Sequence, residues 1–327
     1  MIPEMMTEKL PLVSIIIPVK AGGYVKALDA VKLLDYPRDR VEVFIAEGSQ
    51  PSKQRNEAAK QANGEILYFL DDDSCPHTDI LRRLAGHFAK SDVAVVGGPS
   101  IAPDSDSFIQ HCFSDIFTSL FGGGGVRNRY RKAGLARETT EKELILCNLA
   151  FRAGLFMEMG GLNERLYPNE ENELMARLHH KACKLIYDPE IFVFRSHRKS
   201  LYAFIKQNLN YGRGRMEQTM LYPKSFSFIH MVPLLFWFYL FGFFFISSGI
   251  YSIPLGFYLA ASFFFSLVAN WNKQISFALK LKRIVLVSFL FPALHLSYGA
   301  GLLTGIKRPF FGARGGSGAI AIKKISF

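Results

Sequence analysis

The stretch Ile66-Leu67-Tyr68-Phe69-Leu70-Asp71-Asp72-Asp73 runs five apolar residues directly into three consecutive acids. The apolar part has strand length and reads as buried. Three adjacent carboxylates repel one another and require a cation, hydrogen-bond donors or open solvent. Side chains alternate along an extended chain, so Asp71 and Asp73 fall on one side and Asp72 on the other. That placement suits a hard divalent cation bridging to a diphosphate. A solvated acidic turn is the plain alternative, and the surrounding sequence decides between them.

Upstream, Val13 to Val19 reads as a buried strand, and Val25 to Leu34 has helical spacing ended by Tyr36-Pro37. Val41 to Ala46 is a second strand, and Ser52 to Asn63 a helix stopped by Gly64. Downstream, Thr78 to Lys90 forms an amphipathic helix and Val93 to Gly98 a fourth strand. This alternation predicts an α/β fold with a parallel sheet and right-handed crossovers. Ligands of such sheets bind beyond the carboxyl ends of the strands, where Pro18, Glu47 and Asp71 to Asp73 all fall.

Farther along, Phe108 to Phe121 has helical spacing, and Gly122 to Gly125 form a loop without the phosphate-cradling GxxxxGK[ST] pattern. The basic run Arg127 to Lys132 reads mostly as solvated loop. A second acidic cluster holds Glu164, Glu170, Glu171 and Glu173. One of these carboxylates is a candidate general base, and a helix N-terminus accounts for at least one other. His197 ends an apparent strand between arginines, which makes it a candidate for a polar site. Tyr211-Gly212-Arg213-Gly214-Arg215 offers two glycine-spaced arginines suited to phosphate or lipid headgroups.

The 327 residues are 49% hydrophobic and carry a net charge of +11, neither spread evenly. Residues 1–220 read as a cytosolic α/β domain and residues 221–327 as a membrane domain with a basic C-terminal tail. Three apolar stretches, 228–247, 251–268 and 284–304, are near the length of a bilayer span. Lys280, Lys282 and Arg283, and then Lys307, Arg308, Arg314, Lys323 and Lys324, favour an anionic cytoplasmic leaflet. Three full spans would put that tail on the opposite side from the first domain, so one stretch is expected to be re-entrant or interfacial, or the charge bias overridden. The start, Met1 to Leu10, is polar and reads as no cleavable signal. The resulting expectation is a multi-pass protein of the cytoplasmic (inner) membrane with its first domain in the cytoplasm. Four widely spaced cysteines form neither a zinc pattern nor a disulfide framework. Nucleic acid is not expected as a partner, because no basic surface with interleaved aromatics occurs away from the apolar stretches.

Taken in order, Ser14-Ile15-Ile16-Ile17-Pro18-Val19, Ala46-Glu47-Gly48-Ser49, Gln54-Arg55-Asn56-Glu57, Leu70-Asp71-Asp72-Asp73, Cys147-Asn148-Leu149-Ala150 with Gly160-Gly161-Leu162, and Glu170-Glu171 resemble the motif series of family 2 inverting glycosyltransferases. The resemblance covers roughly residues 11–215 and implies a GT-A fold, related to Rossmann-like nucleotide-diphospho-sugar transferases. The segments Tyr211 to Arg215 and His295 to Gly301 resemble the membrane-anchored, succinoglycan-type branch of exopolysaccharide assembly. No QxxRW motif follows Gln207, which argues against a processive synthase.

The resemblance implies a sugar moved from a nucleotide-diphosphate donor, a UDP-sugar being expected, to a polyprenyl-(di)phosphate-linked or glycan acceptor, with membrane lipids as further partners. Asp73 would hold Mg²⁺ or Mn²⁺, Asp71 would meet the ribose or share the metal, and His197 would complete that shell. Pro18, Glu47, Arg55, Arg213 and Arg215 would face the nucleotide sugar, and Asn148 the acceptor. Glu171, or Glu170 beside it, would take the acceptor's proton in a single displacement. The alternatives are a nucleotidyltransferase and an inactive membrane scaffold of the same fold. Sugar, acceptor and linkage are not encoded in any of these motifs.

Overall fold

The computed structural model describes residues 10–311 and 319–325. The polar start up to residue 9, Arg314 and the side chains of Lys307 and Arg308 lie outside the described residues. The strands are β1 (Val13–Val19), β2 (Val41–Glu47), β3 (Ile66–Leu70), β4 (Cys75–Pro76), β5 (Val93–Gly97), β6 (Ser100–Ile101), β7 (Arg137–Glu138), β8 (Asn148–Arg152), β9 (Lys184–Tyr187), β10 (Val193–Phe194) and β11 (Ala321–Ile325). The helices are α1 (Ala27–Val31), α2 (Pro51–Gln61), α3 (Ile80–Phe88), α4 (Phe108–Thr118), α5 (Leu120–Gly123), α6 (Ala153–Glu158), α7 (Glu170–His180), α8 (Leu201–Leu221), α9 (Phe228–Gly242), α10 (Ile253–Trp271) and α11 (Phe277–Phe311).

Eight strands form one sheet in the order β11-β2-β1-β3-β8-β5-β9-β7. The centre β2-β1-β3 is parallel, as the βαβ pattern requires, with Ile15 opposite both Val43 and Tyr68. The sheet as a whole is mixed, which corrects the all-parallel expectation. β8 is inserted between β3 and β5 antiparallel to both. Because β5 and β8 are antiparallel neighbours, the chain leaves β5 and enters β8 at the same end of the sheet, and residues 98–147 between them supply the edge strand β7 on the way.

Both faces are covered, which explains the uninterrupted apolar runs of the central strands. Ile15, Ile17, Tyr68 and Leu70 pack with Leu81, Leu84 and Phe88 of α3 on one face. Ile16, Leu67 and Phe69 pack with Ala58, Phe156, Leu174 and Leu178 on the other. A third core joins α4, α8 and α11, where Phe113 and Phe204 stack with centroids 4.2 Å apart beside Phe291. Gly212 and Gly301 let α8 and α11 touch: a Cβ at Gly212 would lie 2.0 Å from the Tyr298 carbonyl oxygen, and one at Gly301 2.1 Å from that of Leu209. Gly212, read as a spacer beside the two arginines, is therefore a packing residue inside a helix.

The apolar stretches also differ from expectation. The first ends as a helix at Gly242 and contains Pro233. The third is the middle of α11, and its Ile284, Val287, Leu290, Phe291 and Leu294 are buried in the protein. Among the described residues one helical segment, Gly249–Trp271, is long and apolar enough to cross a membrane. Its helix α10 inverts the usual burial pattern. Ser262, Ser266 and Asn270 are its buried residues, while Phe257, Phe263, Phe264, Val268 and Trp271 are exposed. α9 buries none of its residues.

Candidate active site

The carboxyl ends of β1, β2 and β3 meet the start of α2 and the end of β10. Gln54 of α2 ties the first two tips together, its Nε2 donating to Val19 O at 2.8 Å and to Ala46 O at 2.5 Å. The next residue of the helix, Arg55, is 3% exposed and sends Nη2 to Asp71 Oδ1 at 2.6 Å. Its Nη1 lies 3.4 Å from Glu170 Oε1. From the other side comes Arg195, placed by pairing of Phe194 with Cys75 and Ile101. Its Nη2 is 3.0 Å from Asp71 Oδ2 and its Nε 2.6 Å from Asp73 Oδ1. Strand β3 ends at Leu70, so the acids lie in a turn and not on an extended chain; Asp71 and Asp73 are brought together by the Arg195 guanidinium that bridges them.

Burial works against the charged form of Asp71, but the positive charges of Arg195 and Arg55 outweigh it and hold its pKa below the ordinary carboxylate value. Asp72 goes the other way. Burial and the charges of Asp73 and Asp71 push its pKa up. Its backbone oxygen accepts from Ala27 N at 2.9 Å, fixing the start of α1.

Glu170 opens α7 directly after Asn169, whose φ of 89° turns the chain into the cluster. Burial and the neighbouring Glu171 push its carboxyl up to about 8, and the Arg55 contact is too long to offset them. We therefore read Glu170 as carrying a proton near neutral pH. Glu171 is less deeply buried and has Arg129 Nη1 3.9 Å from its Oε1. Glu170 Oε2, Arg55 Nε and Asn169 Nδ2 are buried without a hydrogen-bond partner among the described residues. Unpaired buried polar atoms are costly in a finished core and usual where a ligand completes the pairing.

A pH effect on stability follows. An acid with a raised pKa in the fold keeps a proton that the unfolded chain has lost. Stability therefore falls as pH rises from the unfolded value of 4.5 towards about 8. Glu170→Gln is expected to remove this slope. The variant should gain in melting temperature relative to the parent at pH 8, by roughly 2–4 °C for each kcal/mol relieved, and not at pH 4. Parallel melting curves across that range would refute the assignment.

The remaining expected residues fall into two groups. Pro18 and Glu47 lie at the tips of β1 and β2, and Glu47 Oε2 accepts from Gly22 N at 3.2 Å. Arg213 reaches the loop ahead of Glu170, its Nη2 3.4 Å from Tyr167 O, whereas Arg215 turns to Gln218 of its own helix at 3.0 Å. Asn148 does not face an acceptor. It is fully buried, donates to Ile191 O at 2.8 Å and accepts from Tyr68 Oη at 2.8 Å, so it braces β8. His197 does not join the acids either. Its ring lies against Phe117 and Tyr130, and burial together with Arg195 and Arg198 lowers its pKa to about 3. No three His, Cys, Asp or Glu side chains converge as a metal cluster among the described residues. Sequence reasoning missed Gln54, Arg129 and above all Arg195, whose signal was its place two residues before His197 at the end of an apolar run.

The family model "Glycosyl transferase family group 2" matches residues 66–291, from the first residue of β3 into α11. The chain belongs to that family. This glycosyltransferase is 23% identical to the pre-mycofactocin glycosyltransferase of Mycobacterium tuberculosis, over 63% of its own length and 41% of that protein. It is 32% identical to the glycosyltransferase AglE of Haloferax volcanii, over 28% of its length and 40% of that protein. The glycosyltransferase thus spans about 40% of the length of these curated relatives. Its fold is similar to that of the mannosyltransferase PcManGT from Pyrobaculum calidifontis, solved with GDP-Man and Mn²⁺. That match has a TM-score of 0.50 at 14% identity and covers 91% of this chain and 88% of that one. The glycosyltransferase therefore has an α/β GT-A-like fold with a mixed sheet.

Proposed function

We propose that the protein is a membrane-associated, inverting glycosyltransferase that moves a sugar from a nucleotide-diphosphate donor to a lipid-linked or growing glycan acceptor. The observation that carries the reading is the convergence of Arg55, Arg195, Asp71, Asp73 and Glu170 at adjoining strand tips, with unpaired buried polar atoms among them. Two guanidiniums suit a diphosphate, which they bind by paired charge-assisted hydrogen bonds. The donor named for the structural relative, GDP-Man, is of the same class.

Asp73 fits a hard divalent ion. Arg195 holds one of its oxygens, 44% of the side chain stays exposed, and such ions are often bound through one carboxylate with the substrate's phosphates completing the shell. When bound there, Mg²⁺ or Mn²⁺ would stabilise the charge developing on the leaving diphosphate. His197, packed among aromatic rings, takes no part in that set. Arg55 and Arg195 hold the diphosphate, and Glu47 faces the nucleoside end. The acceptor hydroxyl attacks the anomeric carbon, the bond to the diphosphate breaks, and Glu171 takes the hydroxyl proton. Glu170, already protonated, cannot accept it and serves as a hydrogen-bond donor.

Membrane association is supported by the inside-out burial of α10 and by α9, which buries nothing. A helix in water hides its aromatic residues and exposes its serines; here the serines are inside.

The test is to incubate the purified full chain with UDP- and GDP-sugars, Mn²⁺ and membrane lipid extract, following nucleotide release and labelled lipid by mass. Release with at least one donor is expected; no release and no nucleotide binding with any donor would overturn the reading. Arg195→Ala is expected to weaken nucleotide-diphosphate binding by tenfold or more, as loss of a charged hydrogen bond costs about 1.5–3 kcal/mol. Titration calorimetry checks this, and unchanged affinity would remove Arg195 from the donor site.

A further inference from the structure

The segment between α8 and α11 has both of its ends fastened to the same body. At the start, Tyr222 Oη accepts from Asn163 Nδ2 at 2.7 Å, just before α9 departs. At the return, Lys273 and Arg283 converge on Asp115 of α4, Arg283 Nη2 lying 2.8 Å from Asp115 Oδ2. Beyond α11 the chain comes back into the main sheet. β11 pairs antiparallel with β2, and Lys324 Nζ sits 2.6 Å from Glu42 Oε2. A single crossing of a bilayer is incompatible with these three anchors.

From this we infer that α9 and α10 form a helical hairpin that dips into one face of a lipid bilayer and returns by the same face, its tip staying in the bilayer interior. The inference rests on the membrane association proposed above and adds its topology. Three observations favour a buried tip over two full crossings. α9 has 15 residues, about 22 Å at 1.5 Å per residue, against a hydrocarbon core of about 30 Å. From Met231 to Asn272 the sequence has no Asp, Glu, Lys, Arg or His, so nothing charged anchors the tip in a far aqueous phase. Charges flank only the base, at Lys224 and His230 on the way in and Lys273, Lys280 and Lys282 on the way out. The tip is strongly apolar, with Phe244 82% and Ile250 77% exposed.

Backbone groups in hydrocarbon must be paired, and the hairpin pairs several of its own. Tyr239 Oη donates to Tyr251 O at 2.7 Å, and Tyr251 Oη donates to Tyr239 O at 2.6 Å. Leu255 N then donates to Tyr239 Oη at 3.1 Å. Turn hydrogen bonds satisfy the amides of Phe243, Phe244, Phe245 and Ile246. The two tyrosines thus fasten the hairpin near its tip and reduce the cost of burying its turn. This arrangement also ends the conflict between three spans and a basic tail, since Lys323 and Lys324 return to the catalytic side.

The test uses the full chain with Cys75 and Cys183 changed to Ser, bound to phosphatidylethanolamine–phosphatidylglycerol vesicles. Ser248→Cys reports the tip, with Ser247→Cys as a second tip reporter, and Lys323→Cys reports β11. A membrane-impermeant maleimide is supplied outside or trapped inside. Expected are labelling of Lys323→Cys from outside, and of the tip cysteines from neither side until detergent is added. Tip labelling by trapped reagent would show two full crossings, and tip labelling from outside on bound protein would show no insertion; either overturns the hairpin. Failure of the protein to float with vesicles would instead sink the membrane association itself.

Discussion

Glu171→Gln is expected to lower sugar transfer by about 10²–10⁴-fold, the usual contribution of a positioned general base, while leaving donor affinity close to that of the parent. The substitution keeps shape and removes the ability to accept a proton. The proposed inverting route has one base and no enzyme nucleophile, so on that route no second group replaces it. Glu171 and Glu170 are adjacent on the first turn of α7, but their surroundings separate them. Glu170 is the more deeply buried, contacts Arg55 and has its pKa raised to about 8. A carboxyl that keeps its proton cannot take another, which leaves Glu171, with Arg129 beside it, for the transfer. Steady-state rates with a saturating donor, together with nucleotide binding by calorimetry, separate a chemical defect from a binding one. Full turnover by Glu171→Gln would sink the assignment and move the base to Glu170. Loss of binding along with turnover would make Glu171 a donor contact.

The central fold was legible because local and global signals agreed. Val13–Val19 and Ile66–Leu70 form strands over the residues their apolar runs mark, since β1 and β3 are buried on both faces. The direction of β8 was not legible. Its sequence, Asn148 to Arg152, carries the same apolar signal in either direction, and only the path of residues 98–147 sets it. In the site, Asp71 and Asp73 could be read from their spacing. Arg195 could not, because its partners are 122 residues away for Asp73 and its role depends on β10 pairing with β4. Asn148 and His197 show the opposite failure. Their side-chain chemistry suits an acceptor contact or a metal, but the hydrogen bonds of β8 consume one and aromatic rings enclose the other. Arg283 likewise read as a lipid-facing charge, and the partner that withdraws it lies 168 residues earlier.

That partner gives the second large effect. Asp115→Ala is expected to destabilise the protein by about 3–5 kcal/mol, the cost of removing one member of a buried ion pair and leaving the other charge unmatched. Here two cations lose their match. Asp115 has 4% of its side chain exposed and Arg283 8%, with Lys273 more open at 31%. Arg283 makes three hydrogen bonds to the carboxylate, at 3.1, 3.0 and 2.8 Å, and one to His111 O at 3.2 Å. Because these residues come from α4, the turn after α10 and α11, the cluster holds the returning arm of the hairpin against the catalytic domain. Asp115→Ala should therefore raise protease sensitivity around residues 272–276 before the sheet unfolds. Replacing the cluster as a whole, with Asp115→Leu, Arg283→Met and Lys273→Met together, should recover much of the loss, since apolar residues of similar volume often match a buried ion pair or triad. Chemical unfolding of the full chain in detergent, read against limited proteolysis, checks both expectations. A loss of no more than about 1 kcal/mol in Asp115→Ala, as for an exposed pair, would show that the cluster does not fasten the hairpin.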